Sequence, residues 1–190
     1  GNLELAQAAM RQGEEDFFLS CLQYTADVAA ENTPASFLAF CGTFGLGKLI
    51  NQGKQHYWVT LRQQANDRRW RVREAAAMAL QSIGDADLPG LLAVMQRWCA
   101  AGTWLEQRAA AAGLSEPRLL KDAQVASQVL GLLDSITANL LQAVDRHDED
   151  VRVLRKGLAY AWSVAAVACP VEGKAYLEKW AANKDADVRW

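Results

Sequence analysis

Residues 148–155 read Asp-Glu-Asp-Val-Arg-Val-Leu-Arg, and the fold that we predict follows from this stretch. A short acidic turn leads directly into Val-Arg. The apolar residues Leu154, Leu158, Ala161 and Ala165 then recur every three or four positions. That spacing places the apolar side chains on one face of an α-helix. The stretch therefore predicts an acidic turn that opens an amphipathic helix.

Related stretches occur along the chain at intervals of about 40 residues, a period typical of helical-repeat proteins. The first three pair a turn with an arginine and a helix-forming run, and the fourth ends the chain. The four equivalent arginines are Arg73, Arg108, Arg152 and Arg189. Further helical stripes occupy 72–83 and 125–144. The one strand candidate, 57–61, lacks flanking turn residues and fits a helix that buries Trp58, Leu61 and Ala65. The sequence therefore predicts an all-α fold.

The repeated turn resembles the HEAT and armadillo-like α-solenoid families, in which Asp-x-x-Val-Arg-x-x-Ala opens the second helix of each pair. Asp150-Val151-Arg152 and Asp187-Val188-Arg189 match this pattern, whereas 103–108 has no aspartate and one extra residue. The resemblance covers about residues 54–190. It implies a right-handed α–α superhelix of four to five helix pairs. It also implies that the arginines and aspartates bond between neighbouring repeats.

The chain lacks a long polar linker, so we expect one HEAT-like domain over residues 1–190. Within it, 1–53 would form divergent N-terminal helices and 54–190 the clearer repeats. The chain stops where another helix should begin, which indicates a truncated last repeat or an irregular cap. Gly84 is interpreted as a helix stop. Four prolines are expected in first helical turns, namely Pro34, Pro89, Pro117 and Pro170.

Composition narrows the functional classes. The formal charge is −2 and the pI about 5.7, so no global basic excess indicates nucleic acid. No apolar run approaches the length of a membrane span, and no signal peptide is evident, so we expect a cytoplasmic protein without a membrane partner. Two histidines and four cysteines without a C-x-x-C pair favour buried, reduced thiols over a metal site, and we expect no cofactor.

The run Gly42-Thr43-Phe44-Gly45-Leu46-Gly47-Lys48 matches the G-x-x-x-x-G-K pattern of a phosphate-binding loop. That loop needs Ser or Thr after the lysine to reach magnesium, but residue 49 is leucine. It also needs a parallel sheet, which the sequence does not predict. We therefore interpret the run as a helix whose glycines lie at close packing contacts.

Two basic sets are candidates for binding. The first lies beside Trp58 and Trp70 and comprises Arg62, Arg68, Arg69, Arg71 and Arg73. The second comprises Arg146, Arg152, Arg155 and Lys156. Basic residues interleaved with aromatics can hold phosphates and stack bases, although arginine is also ordinary on a solenoid surface.

A second resemblance is to the HEAT-like DNA alkylation repair glycosylases. Residues 104–110, Trp-Leu-Glu-Gln-Arg-Ala-Ala, are similar to that family's Trp-x-Gln-Arg-Ala-Ala run, and 156–162 are similar to its later inner helix. The resemblance implies that Arg108 holds a phosphate and that Tyr160 or Trp162 is the functional aromatic. The family's Trp-Trp-Asp segment has no match here. Catalysis would therefore lack the carboxylate that stabilises cationic charge.

These patterns lead to two functional hypotheses. The first is a non-catalytic scaffold that binds a protein or peptide partner on its concave face. The second is a DNA-binding or alkylation-repair module, with nucleic acid as the partner. We predict no catalytic residue, no cofactor and no metal ligand. The candidate binding residues are Arg73, Arg108, Arg155, Lys156, Tyr160 and Trp162.

Overall fold

The computed structural model describes residues 1–189, which form ten α-helices and no strand. The prediction of an all-α fold is confirmed. Trp190 lies outside the described residues. The prediction of a truncated last repeat or an irregular cap concerns this end of the chain and also lies outside them. The helices are α1 Asn2–Gln12, α2 Glu15–Leu22, α3 Pro34–Asn51, α4 Tyr57–Ala65, α5 Trp70–Ala86, α6 Leu88–Ala101, α7 Trp104–Leu114, α8 Ala123–Leu140, α9 Glu149–Ala168 and α10 Pro170–Ala181.

Two compact units divide the chain, unit 1 over residues 1–88 and unit 2 from residue 89 onward. The prediction of one domain over 1–190, like that of a right-handed superhelix, stays a prediction. None of the helices within 1–189 combines the length and the apolar character that crossing a bilayer demands.

Unit 1 is built around α3, which packs against α1, α2, α4 and α5. Its helix starts as the sequence predicts, because Pro34 occupies the first turn and the Thr33 side chain accepts a hydrogen bond from the Ser36 amide. The fully buried core side chains of this unit include Phe18, Leu46 and Leu80.

Close helix packing accounts for the glycines in the run that resembles a phosphate-binding loop. Residues 42–48 lie inside the continuous helix α3. A Cβ at Gly45 would stand 2.1 Å from the ring of Phe18 in α2, and one at Gly47 would stand 2.8 Å from the Ala79 carbonyl oxygen in α5. The helical interpretation of this run is therefore confirmed.

Unit 2 includes α7 to α10, with α9 packed against α7, α8 and α10. The acidic turn before α9 caps the helix, since the Asp148 side chain accepts hydrogen bonds from the Asp150 and Val151 amides. One face of α9 is buried through Leu154, Leu158 and Trp162. This is the face that the period of the sequence predicts, with Trp162 added to it.

Three local predictions need correction or completion. Gly84 does not stop α5, which continues to Ala86 because the glycine is buried inside the helix. Pro117 lies in the turn between α7 and α8 rather than in a first helical turn, whereas Pro34 and Pro170 do begin helices. Residues 57–61 are helical as expected, but Tyr57 is buried and Trp58 is only partly buried.

Candidate binding surface

The first basic set, in unit 1, does not form one exposed surface. Arg69 is only 3% exposed, and its guanidinium forms two hydrogen bonds of 2.9 and 2.8 Å with the Asp67 carboxylate. A further nitrogen donates to the Tyr24 and Ala29 carbonyls at 2.8 and 3.0 Å. Arg69 therefore fastens the segment before α3 to the turn that precedes α5.

Arg73, the one candidate residue in unit 1, also has a structural environment. Its Nη1 donates hydrogen bonds to the carbonyl oxygens of Asp67 and Arg68, at 2.7 and 2.9 Å. Both acceptors lie in the turn that precedes α5, so Arg73 closes this turn. Of the same set, Arg71 is exposed and lies over the Trp70 ring, 4.7 Å from its centroid.

In unit 2 an open groove of about 800 Å³ runs beside the N-terminal half of α9. Four cationic side chains and two carboxylates line it, so its charge is positive although the whole chain is negative. The lining residues are Leu140, Arg146, His147, Glu149, Val151, Arg152, Val153, Arg155, Lys156, Ala159 and Asp187. Two of the six candidate binding residues, Arg155 and Lys156, therefore line the groove.

Two of the four cations are held by the turn after α10. Arg146 bonds Asp185 and Asp187 at 3.2 and 3.3 Å, and Arg155 pairs with Asp187 at 3.3 Å while donating to its carbonyl oxygen at 2.8 Å. Arginine–aspartate bonding between successive turns therefore occurs. The partners of Asp187 are Arg146 and Arg155, rather than the arginines of the repeated Val-Arg pairs.

The other two cations of the groove, Arg152 and Lys156, are exposed. Neither side chain forms an ion pair or a hydrogen bond with any residue from 1 to 189. They are separated by one helical turn, which is a rise of about 6 Å. These two charges are therefore available to an anionic ligand without breaking an internal contact.

Exposed side chains continue along α9 from these cations. Tyr160 is 66% exposed and Val167 is 78% exposed, and Ser163 lies between them. The Ser163 hydroxyl donates to the Tyr160 carbonyl oxygen at 2.7 Å, so its polarity is satisfied within the helix. We call Arg152, Lys156, Tyr160, Ser163 and Val167 the α9 stripe. Its members follow one another at intervals of three or four residues, on the side of α9 opposite the core.

The prediction that Trp162 lies on a binding surface is wrong. The side chain is 1% exposed, and its indole N–H donates to the Thr137 hydroxyl in α8 at 3.0 Å. The helical period explains the difference, because Trp162 falls beside Leu158 and Ala165 on the buried face of α9, whereas Tyr160 falls on the opposite face.

Arg108 is partly buried and lies against α9 at Gly157. A Cβ at Gly157 would stand 3.2 Å from the Arg108 Cγ, so the absence of a side chain there lets the arginine stem pass. Arg108 is not among the residues that line the groove. Of the six candidates, Arg155 and Lys156 therefore line the groove, Tyr160 lies one helical turn beyond Lys156, and Arg108 lies next to α9.

Cys41 and Cys99 do not line the groove, and their thiols are shielded from solvent. Burial raises the pKa of the Cys41 thiol to about 11 and that of Cys99 to about 12, so both stay protonated and unreactive at neutral pH. Within the described part of the chain, His, Cys, Asp and Glu side chains form no group of three that could hold a metal. The α9 stripe offers cations and apolar surface.

Sequence reasoning found the cations of the groove but missed Ser163, Val167 and the role of Asp187. The outward members of α9 could have been found from the period alone, because steps of three or four residues from Arg152 lead through Lys156, Tyr160 and Ser163 to Val167 and avoid every buried position of the helix. The contact of Asp187 with Arg146 and Arg155 joins residues far apart in sequence, so no local signal indicates it.

No family model, curated protein or solved structure matches the chain. The resemblances to HEAT repeats and to the repair glycosylases therefore rest on the sequence patterns quoted above, and membership of either family stays a prediction.

Proposed function

We propose that the protein is a HEAT-type helical-repeat scaffold without catalytic activity, and that it binds a protein or peptide partner on the α9 stripe. The observation that carries the proposal is the composition of this stripe. Two exposed cations that pair with no residue from 1 to 189 stand on the same face as an exposed tyrosine and an exposed valine. A mixed charged and apolar surface is what protein interfaces use, with aromatic residues and arginine as anchors.

Helix packing within each unit supports the repeat architecture. In unit 2, α7 packs on α8 and α9, and α8 packs on α9 and α10. In unit 1, α3 packs on α4 and α5, which also pack on each other. Contact of each helix with the next and the next but one is expected when helix pairs stack in a solenoid. The right-handed superhelix belongs to this proposal.

A protein partner fits the charges of the groove better than DNA does. DNA carries a phosphate charge about every 1.7 Å, and binding proteins neutralise many of them at once. Here Arg146 and Arg155 already bond aspartates, which leaves Arg152 and Lys156. Glu149 and Asp187 in the same groove would repel a phosphate backbone. Two available cations suit a partner with a few carboxylates.

Selection of random peptides displayed on phage tests the proposal. The full chain is the target, and the selected peptides are then measured against two charge-reversal variants. Arg152→Glu/Lys156→Glu changes the stripe, and Arg97→Glu/Lys121→Glu changes two exposed cations elsewhere in unit 2 by the same total charge. We expect peptides that bind the wild-type chain and the control variant but not the stripe variant.

The opposing results are equally concrete. Peptides that bind all three proteins alike would show that the stripe is not the binding surface. A labelled DNA duplex that binds more tightly than any selected peptide, and loses affinity steeply as salt is raised, would favour the repair-type alternative instead.

A further inference from the structure

The α9 stripe changes character along its length. Arg152 and Lys156 occupy its N-terminal end, Tyr160 its middle and Val167 its C-terminal end. The stripe is about 22 Å long, from the rise of a helix over its residues. A ligand that covers it must therefore present anionic groups at one end and apolar groups at the other.

The backbone of α9 determines which conformation of partner it can hold. Along the body of α9 the backbone amides and carbonyls bond one another, and Asp148 accepts hydrogen bonds from the amides of Asp150 and Val151. The helix therefore offers no free edge to which an extended strand could pair. A partner helix needs no such edge, because its backbone is already satisfied. Side chains three and four apart on a partner helix also repeat at the spacing of the stripe.

The charge around the stripe points to carboxylates on the partner. Burying Arg152 or Lys156 beneath an apolar surface would leave an unpaired charge, which is costly. An acidic side chain on the partner avoids that cost and gains a charge-assisted hydrogen bond. The planar Arg152 guanidinium can bind a carboxylate through two nitrogens. Tyr160 and Val167, by contrast, gain only from contact with apolar side chains.

We propose that the partner segment is an amphipathic helix that lies along α9. It carries two acidic residues one turn apart over Arg152 and Lys156, and apolar residues over Tyr160 and Val167. This inference rests on the proposed function, since it names the chemistry of the partner that the stripe binds.

The test uses three fluorescein-labelled synthetic helical peptides and measures their binding to the full chain by fluorescence anisotropy at near-physiological salt. The first carries two glutamates one turn apart, followed on the same face by leucines one turn apart. The second has the same composition with these residues scattered around the helix. The third replaces the glutamates with lysines.

We expect the first peptide to bind roughly tenfold more tightly than the other two. Arg152→Glu/Lys156→Glu should weaken it by roughly tenfold, because two attractions become repulsions. Tyr160→Ala should weaken it by a similar factor, because it removes an aromatic anchor. Arg97→Glu/Lys121→Glu should leave its affinity unchanged.

Equal affinities for the three peptides, or equal effects of the stripe and control variants, would overturn the inference. Its failure can be distinguished from that of the proposed function by the peptide selection described above. Selected peptides that depend on the stripe but are neither acidic nor apolar would overturn only the helix proposal. The absence of any stripe-dependent peptide would overturn both.

Discussion

Units 1 and 2 contain the same kinds of charged contact, arginine with aspartate at the turn between helices, in opposite surroundings. In unit 1 the side chains of Arg69 and Asp67 are 4% and 13% exposed. In unit 2 the Arg146 side chain is 23% exposed and that of Arg155 is 45% exposed. The buried pair fastens chain segments together, whereas the second set borders an open groove. Burial therefore separates an arginine that joins segments inside the fold from arginines that border an open surface.

The two units also differ in how they use the glycine-rich run and the basic sets that the sequence contains. In unit 1 the glycine-rich run forms a packing surface of α3. The basic set does not form one surface, because Arg69 is buried. In unit 2 the four residues of the basic set all line the groove beside α9, with Arg152 and Lys156 exposed. We infer that unit 1 uses its unusual residues for stability, and that unit 2 keeps some of them for binding.

The largest expected effect is in unit 1. Arg69→Ala leaves the Asp67 carboxylate and two carbonyls without their partner, so we expect a loss of about 3–5 kcal/mol in the free energy of unfolding. Arg68→Ala is the matched control, because Arg68 forms an exposed pair with Asp27 and should cost at most about 1 kcal/mol. Urea unfolding followed by circular dichroism measures both. Similar losses for the two variants would refute the distinction by burial.

Glycine substitution compares helix packing in the two units. Gly45→Ala forces a methyl group against Phe18 in unit 1 and should destabilise by about 1–3 kcal/mol. Gly131→Ala in α8 has open space around the added Cβ, so it should stabilise by about 0.5–1 kcal/mol through helix propensity. Thermal unfolding of the pair tests this, and a stable Gly45→Ala variant would contradict the packing interpretation of residues 42–48.

A smaller effect is expected at Trp162, which was predicted to lie on a binding surface but is buried. Thr137→Val keeps the shape of the side chain but removes the acceptor of the Trp162 indole N–H, so we expect a loss of about 1.5 kcal/mol. Thr137→Ser retains the hydroxyl and its hydrogen bond but deletes a buried methyl group, so we expect a smaller loss of about 0.8 kcal/mol. Tyr160→Ala, on the exposed face, should change stability by less than about 0.5 kcal/mol. The urea midpoints of the three variants measure these losses. A midpoint for Thr137→Val no lower than that for Tyr160→Ala would contradict the role of the hydrogen bond to Trp162.

The smallest effect is a pH dependence in unit 1. Hydrogen bonds from Lys54 and Tyr57 lower the pKa of Glu15. This contribution to stability is present above the ordinary pKa of about 4.3 and is lost as the pH falls through the lowered value. We therefore expect the wild-type chain to lose stability more steeply than Glu15→Gln below about pH 5. Parallel slopes in acid unfolding curves would show that the Glu15 contacts are not maintained.

The same network predicts an alkaline effect of opposite sign. Hydrogen bonding to Glu15, at 2.6 Å, raises the pKa of Tyr57. A raised pKa stabilises the fold below the ordinary value of about 10, and this contribution disappears as the pH rises through the raised value. Tyr57→Phe should remove this dependence, which absorbance titration of tyrosine ionisation can follow.

Features of the fold that depend on contacts between residues near in sequence were predictable, whereas those that depend on residues far apart in sequence were not. The helical period and the caps Thr33 and Asp148 are local, so the all-α fold and several helix starts followed from the sequence. The division of arginines into buried and exposed was not predictable, because Arg69 is buried by carbonyls at Tyr24 and Ala29, far away along the chain. The prediction for Pro117 was wrong for a different reason. Proline favours a turn as readily as a first helical turn, so the residue alone does not distinguish the two.

The candidate surface shows the same limit. Lys156 and Tyr160 were identified from the sequence, and their exposed face follows from the period of α9. Trp162 was assigned to the same surface because the family resemblance points to an aromatic without specifying its face. A helical projection of residues 149–168 separates the two aromatics, whereas composition and motif do not.

NMR chemical shifts can locate the peptide-binding surface on the chain. The acidic–apolar helical peptide described above is added to the isotope-labelled chain, and backbone amide shifts are followed along the sequence. We expect the largest changes at Arg152, Lys156, Tyr160 and Val167, with little change around Asp67 and Arg69. Changes centred on residues 62–73, or none along α9 at a saturating peptide concentration, would contradict binding at the α9 stripe.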